Sequence, residues 1–505
     1  MKMIRFFMLA LVLVFQMACT KLEQKLGATI DFENSTATGL LQSAYESLNT
    51  PIQDQSRFWA AQEHTSDEAI GPTRGPDWDD NGVWRVLHAH TWNADHTFLR
   101  DTYRELLQTQ FAASSVLAKS PTTVQAAEAR FLRAFSMFCV LDGWDQVPFR
   151  ADVVNLTSLP TTLKGTAAVD FIITELNAII NDLPTSPVTR ANKDAARALL
   201  MKCYLNKGVY ANRANPTFAA ADMNQVVTLA DQIINSGNYG LTSSYFDTFA
   251  PDNSSNASKN DELIYALENT PGVRGGNMRS RWFCTLHYNN NPSGWNGFTT
   301  LSDFYDKFEA TDKRRGGSYP GLTNVSGLNA GLLVGQQFDQ NGVALKDRKN
   351  NPLAFTRDVK LKETGNNLEV TGIRVIKYPV DYVSGDQSTN EYVIFRYADV
   401  LLMKAEALLR ANASNEPAAR TIVNNIRTHS SRGATALTTL TLTNLLDERG
   451  REMYWEGWRR NDLVRFGRYL AAWQEKAASG PERLLFPIPN EQLSVNPNLT
   501  QNAGY

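Results

Sequence analysis

A mainly α-helical protein is predicted from three features of the 505-residue chain. Apolar residues recur at three- and four-residue steps over long stretches near both ends, the spacing that lines one face of a helix. Glycine and proline punctuate those stretches where a helix should stop. Between residues 241 and 392 the periodicity fades and Gly, Asn, Ser and Asp cluster in PDNSSNASKND, TPGVRGGN and NNNPSGWNG. The chain therefore divides into a leader (1–18), an amino-terminal helical scaffold (19–240), a loop-rich ligand-binding insertion (241–392) and a carboxy-terminal helical region (393–505).

The leader is read from charge and hydropathy. Lys2 and Arg5 precede the unbroken apolar run Phe6–Phe15, a signal-peptide pattern too short for a membrane span of about 20 residues. It ends in QMAC, so Cys19 stands where a bacterial lipobox places its acylated cysteine, although Gln16 departs from the usual aliphatic residue. The mature chain is expected to be anchored to a membrane through lipid alone. Cys139, Cys203 and Cys284 remain, an odd number without CxxC spacing, so neither a zinc site nor a disulfide framework is written. Cys139 and Cys203 sit in apolar helical runs and read as small core residues.

In the scaffold, Ala127, Phe131, Ala134 and Phe138 place one apolar face on a helix over 122–142, stopped by Gly143 and Pro148. Further helices are predicted near 84–118, 166–183, 191–209 and 222–236. A pair follows at 396–411 and 415–430, then a long stretch at 442–470 interrupted at Gly450 or Gly457. ANKDAARALLMKCYLNKGVY (191–210) has the small-residue and aromatic rhythm of a degenerate tetratricopeptide-type helix pair. In the insertion, LIYALE and IRVIKYPV read as short strands.

Composition and motifs exclude several functions. A net charge of −2 lacks the basic surplus that nucleic acid binding needs. No GxSxG elbow, Walker loop or GxGxxG fingerprint is present. Glu448, Glu452 and Glu456 repeat every four residues, but arginines at 449, 459, 460 and 465 would depress their pKa values, which is wrong for a glycosidase acid. They read as a structural ion network, and Glu406–Arg410 as a helix-surface pair of about 0.3–0.5 kcal/mol. The grouping HAHTWNADH (88–96) has no second ligand set, so its histidines read as structural. No enzyme activity, metal or cofactor is predicted.

What remains is a recognition surface. Sugars are held by aromatic faces and by planar polar side chains, and two loop segments supply both. SDEAIGPTRGPDWDDNGVW carries Asp67, Arg74, Trp78 and Trp84; RSRWFCTLHYNNNPSGWNGF carries Trp282, Tyr288 and Trp295 beside Asn289, Asn290 and Asn291. Tyr382, before the next helix, is a further candidate. Trp92, Trp144, Trp455 and Trp458 are assigned to packing.

Several segments, in order along the chain, resemble the SusD/RagB family of outer-membrane nutrient-binding lipoproteins. They are ARFLRAFSMFCVLDGWDQVPF (129–149), FRYADVLLMKAEALLR (395–410), ERGREMYWEGWRRNDLVRFG (448–467) and FPIPNEQLSVNPNLTQNAGY (486–505); SDEAIGPTRGPDWDDNGVWRVLHAHTW (66–92) is similar to one branch of the family. The resemblance implies a SusD-like helical scaffold with degenerate tetratricopeptide-type pairs. It also implies a cell-surface protein of the outer membrane that captures oligo- or polysaccharide and delivers it to a SusC-like TonB-dependent transporter. Alternatives within it are a peptide or other nutrient ligand, or a mainly structural lid for the transporter.

Overall fold

In the computed structural model, which describes Phe32 and residues 34–505 except 152, 155–156 and 273–276, the helical periodicity resolves into a stack. The helix Ala37–Gln53 packs on Thr97–Leu117, which packs on Thr123–Trp144; Gly165–Ile179, Lys193–Ala211 and Ala220–Ile234 follow in chain order. The next layer is Tyr397–Ala411, paired in turn with Glu416–Arg427. Residues 235–396 are thus inserted between two helices that touch each other. The signal-peptide reading and Cys19 lie outside the described residues.

Local chemistry explains the helix ends. Thr122 and Gln125 form a reciprocal capping box at the start of Thr123–Trp144, and Thr441 with Asn444 does the same for Leu442–Met453. Ala195, Ala196 and Ala198 are fully buried on Lys193–Ala211 and permit close helix approach. Gly208 continues that logic, since a Cβ there would stand 1.6 Å from the Thr217 carbonyl oxygen. Leu402, Ala405, Ala419, Val423, Ile426, Leu440 and Leu445 close the core of the last helical layer.

Several boundaries differ from the sequence reading. Helix Ala37–Gln53 is not anticipated at all; its apolar face is interrupted by buried Asn49 and it carries Pro51 in its last turn. The 84–118 stretch is two helices, Val83–His88 and Thr97–Leu117, separated where His90 turns left-handed at φ +56°. The long stretch 442–470 breaks after Met453, and Trp455 (φ +60°) and Gly457 (φ +85°) reverse the chain before Arg459–Arg465.

The insertion is irregular. Its largest sheet has three antiparallel strands in the order Arg374–Ile376, Ala330–Leu333, Gly316–Gly317. The LIYALE run forms Leu263–Leu267, which pairs with Tyr392–Arg396 leading into the Tyr397 helix. That pairing ties both ends of the insertion to the stack.

Beneath the insertion lies a buried charge cluster. Glu452 accepts from Arg314 (2.9 Å), Arg396 (2.7 Å) and Arg432 (2.7 Å), all fully buried. Glu448 binds Arg314 and Arg427, and Glu456 binds Arg396 and Lys377. Burial pushes the Glu448 carboxyl up, but Arg314 and its other cations outweigh this and hold it at about 2. The ion network is therefore present with different suppliers from those expected. Arg449 binds Asp399 and Asp462, Arg460 binds Asp142, and Arg465 binds Glu406 and Asp462. The Glu406–Arg410 pair is buried rather than on the surface, because Arg465 covers it.

Candidate functional site: an aromatic loop surface

The site is organised by the loop after the single-turn helix Ser280–Phe283. The chain doubles back on itself, with Trp295 N–H donating to Phe283 O (2.6 Å), Asn296 N–H to Leu286 O (2.8 Å) and Phe298 N–H to Cys284 O (2.7 Å). This fold pushes the Trp295 ring outward, where it stacks on Phe283 at 5.9 Å and stays 44% exposed. Trp78 is held beside it by an indole N–H bond to Trp295 O (2.8 Å) and has a left-handed backbone, φ +60°. Gly297 makes room for that ring, since a Cβ there would lie 2.3 Å from it. Below, Phe298 contacts Trp59, His64, Trp78 and Trp84, a ring cluster that supports the surface.

Polar side chains are fixed against the same loop. Arg74 donates from Nε to Asn296 O (3.1 Å) and from its other nitrogens to Thr371. Tyr288 donates its hydroxyl to Asp77 (2.8 Å), and burial together with that carboxylate pushes the phenol up to about 12. Tyr382 donates to Asn291 O (2.6 Å). Arg348 lies 3.8 Å over the Tyr288 ring and binds Glu369 at 2.7 Å. Burial lowers the His287 pKa and favours the neutral ring. Its Nδ1 accepts from Asn289 N–H (3.0 Å), so Nε2 carries the proton and donates to Glu369 (3.0 Å). Arg74, Asp77, Asn296, Asp347, Arg348 and Glu369 are among the groups around a pocket of about 270 Å³.

The structure thus brings Arg74, Trp78, Tyr288, Trp295 and Tyr382 onto one loop system, drawn from segments more than 200 residues apart. Three sequence candidates do not present a free face there. Trp84 is 4% exposed inside the ring cluster and Trp282 is 1% exposed, because each sits on a short helix that packs inward. Asp67 makes a two-pronged ion pair with Arg459 (2.7 and 2.9 Å); burial pushes its carboxyl up, and Arg459 outweighs this and holds it below the usual range. Arg74 is itself only 3% exposed, although it lines the pocket. Arg348, Asp347 and Glu369 were missed. The turn-forming run DRKNN marks a loop, but nothing local shows that it folds onto Tyr288.

The cysteine and histidine readings have structural counterparts. Cys139 and Cys203 are fully buried. His88, His90 and His96 are buried and bonded to backbone oxygens of Ala69, Gln474, Thr65 and Val83. Among the described residues no group of three or more His, Cys, Asp or Glu is arranged to hold a metal ion. Among them, too, no helix is long and apolar enough to cross a membrane.

Comparison with known proteins shows what the chain is similar to. The SusD family model matches residues 261–482, and the starch-binding protein SusD of Bacteroides thetaiotaomicron is 27% identical over 436 residues, 77% of this chain and 74% of that protein. The chain therefore shows the resemblance to the SusD/RagB family that its sequence segments suggest. Solved SusD-like structures share the helical scaffold. A SusD superfamily protein from Parabacteroides distasonis superposes with a TM-score of 0.73 at 19% identity, covering 93% of this chain and 98% of that one. A surface glycan-binding protein A from Bacteroides thetaiotaomicron, solved in complex with laminarihexaose, superposes with a TM-score of 0.65 at 16% identity, covering 92% and 98%.

Proposed function

We propose that this protein is a cell-surface glycan-binding lipoprotein that captures oligo- or polysaccharide and delivers it to a SusC-like TonB-dependent transporter. The observation that carries the reading is the exposed Trp295 ring, propped on Phe283 and flanked by Trp78, beside a pocket of fixed amide, guanidinium and carboxylate groups. An aromatic face takes the C–H face of a sugar ring, and the planar polar groups take its hydroxyls. The names of the relatives, a starch-binding SusD and a glycan-binding protein holding laminarihexaose, support a carbohydrate ligand. No covalent step is part of the proposal. The carboxylates of the buried cluster are paired with arginines and Lys377.

Anchoring through Cys19 places this surface outside the cell, at the outer membrane, with the helical stack turned to the transporter. Purified mature protein run in native gels containing starch, laminarin and other polysaccharides tests the binding claim. Retardation by at least one glycan, lost in Trp295→Ala, is the expected result; migration unaffected by the whole panel overturns it. Palmitate labelling of whole cells, abolished by Cys19→Ala, tests the anchor.

A further inference from the structure

We propose a second carbohydrate subsite in the cleft beside the Gly316–Gly317 strand, resting on the glycan-binding reading above and extending it to polysaccharide. This cleft has a volume of about 440 Å³, larger than the pocket under Tyr288. Gly316 and Gly317 are among the residues that line it. They form the outer strand of the three-stranded sheet, and a Cβ at Gly317 would meet nothing within 4 Å. Gly317 therefore leaves space that a side chain would occupy, whereas at Gly316 a Cβ would stand 2.3 Å from Ala330 O in the paired strand.

The walls carry sugar-recognising groups. Phe338, at the start of a hairpin closed by the Phe338–Ala344 bridge, lines the cleft and is 43% exposed as a residue. Exposed apolar Val325 and Val343 lie on the same turn and hairpin, so this surface is not explained as core. Gln336 donates both Nε2 hydrogens, to Gln337 O and Leu345 O at 2.8 Å, which leaves its amide oxygen to accept from a ligand hydroxyl. Asn329 lines the cleft with a side-chain amide that can both donate and accept, since the single Thr323 hydroxyl hydrogen goes to Leu328 O at 2.7 Å. Arg315 is pinned on the Tyr305 ring and hydroxyl at the same rim. An exposed ring, an acceptor, a donor and a guanidinium converging on an open cleft suit a neutral hexose unit.

The cleft also adjoins the first site. The single-turn helix Thr323–Ser326 separates them, with Ser326 beside the Tyr382 hydroxyl and the following residue, Gly327, lining the cleft. One long glycan can therefore occupy both, and the second contact raises apparent affinity without tightening the first.

The test compares a long and a short form of the same sugar: laminarin against laminaritriose, and starch against maltotriose. Phe338→Ala removes the ring, and Gly317→Leu fills the cleft from its glycine strand. Both are expected to weaken polysaccharide retardation about tenfold, the loss of one aromatic contact, with trisaccharide affinity by calorimetry unchanged. Melting temperatures identify a variant that misfolds, and the other then carries the test. Polysaccharide binding equal to the parent in both variants overturns the second subsite. So does an equal loss of trisaccharide binding, which makes the cleft part of the first site. A parent protein that neither polysaccharide retards, while another glycan of the panel does, refutes the neutral-hexose subsite alone; retardation by no glycan refutes the underlying reading as well.

Discussion

Arg396 and Glu452 meet at 2.7 Å with neither side chain exposed, while Arg279 and Asp386 meet at the same 2.7 Å with side chains 39% and 60% exposed. The first pair belongs to the cluster under the insertion, the second to the loop face that carries the aromatic surface. Equal geometry hides unequal consequence. Buried charges have lost their water and depend wholly on each other, whereas exposed ones keep solvent as an alternative partner. The segments that resemble the family most visibly, 395–410 and 448–467, lie on the buried side. The groups proposed to choose a ligand lie on the other.

The widest separation of the two regions comes from Glu452→Ala. It takes one carboxylate partner from three buried arginines, Arg314, Arg396 and Arg432, each of which keeps another, and is expected to cost about 3–5 kcal/mol of stability. Urea unfolding of the mature protein measures it. A loss under about 1 kcal/mol means the cluster relaxes or hydrates, and the distinction between the regions fails.

The tryptophans sharpen the contrast within one loop. Trp282→Ala empties a fully packed site and is expected to cost about 3–5 kcal/mol of stability. Trp295→Ala removes a ring that is nearly half in solvent. It is expected to leave the unfolding midpoint almost unchanged and to weaken glycan binding about tenfold. Reversal of the two results would place the ligand elsewhere.

A third prediction concerns pH. Glu63 and Glu68 are buried side by side at the Trp455–Gly457 reversal, where Glu63 accepts the Gly457 N–H (2.6 Å) and Glu68 the Trp455 N–H (3.2 Å). Burial pushes Glu63 up to about 7, and Glu68 is raised by burial and by Glu63; Arg459 and Lys377 act against this for Glu63. His64, next in sequence, is kept neutral by burial. The folded pKa lies above the unfolded one, so the folded chain holds a proton that the unfolded chain releases between about pH 4.5 and 7. Stability from this group is full below that window and falls as pH rises through it, by about 1–3 kcal/mol. Glu63→Gln keeps the Gly457 acceptor and is expected to weaken the dependence between pH 5 and 8, the part that survives coming from buried Glu68. A parent whose urea midpoint does not change over that range defeats the assignment.

What the sequence made legible follows the same division. The helices of the stack after Ala37–Gln53 are readable because each repeats its apolar face locally, as at Ala127, Phe131, Ala134 and Phe138. The charge cluster was readable as a network but not as pairs, since Arg314, Arg396 and Arg432 approach Glu452 from three separate segments. Loop position pointed to Trp78 and Trp295 yet also to Trp84 and Trp282. Glycine- and asparagine-rich neighbours show where a chain turns; they do not show which way a ring faces. That direction is set by contacts such as Trp78 to Trp295, 217 residues apart.

The smallest expected effect closes the comparison with the exposed pair itself. Asp386→Ala removes the partner of Arg279 without opening a cavity, because Asp386 is more than half in solvent. Arg279 keeps its contact over the Phe283 ring, at 5.6 Å, and regains water in place of the carboxylate. The stability change should therefore stay below about 0.5 kcal/mol and shrink further as salt screens what attraction remains. The position also probes the aromatic surface, since Phe283 is the ring on which Trp295 stacks. If the Arg279–Asp386 bond only decorates that surface, Asp386→Ala leaves glycan affinity intact. If it holds Phe283 in place, affinity drops while the urea midpoint stays put. A loss of stability comparable to that of Glu452→Ala is the outcome that would sink the argument, because burial would then not be what separates these two ion pairs.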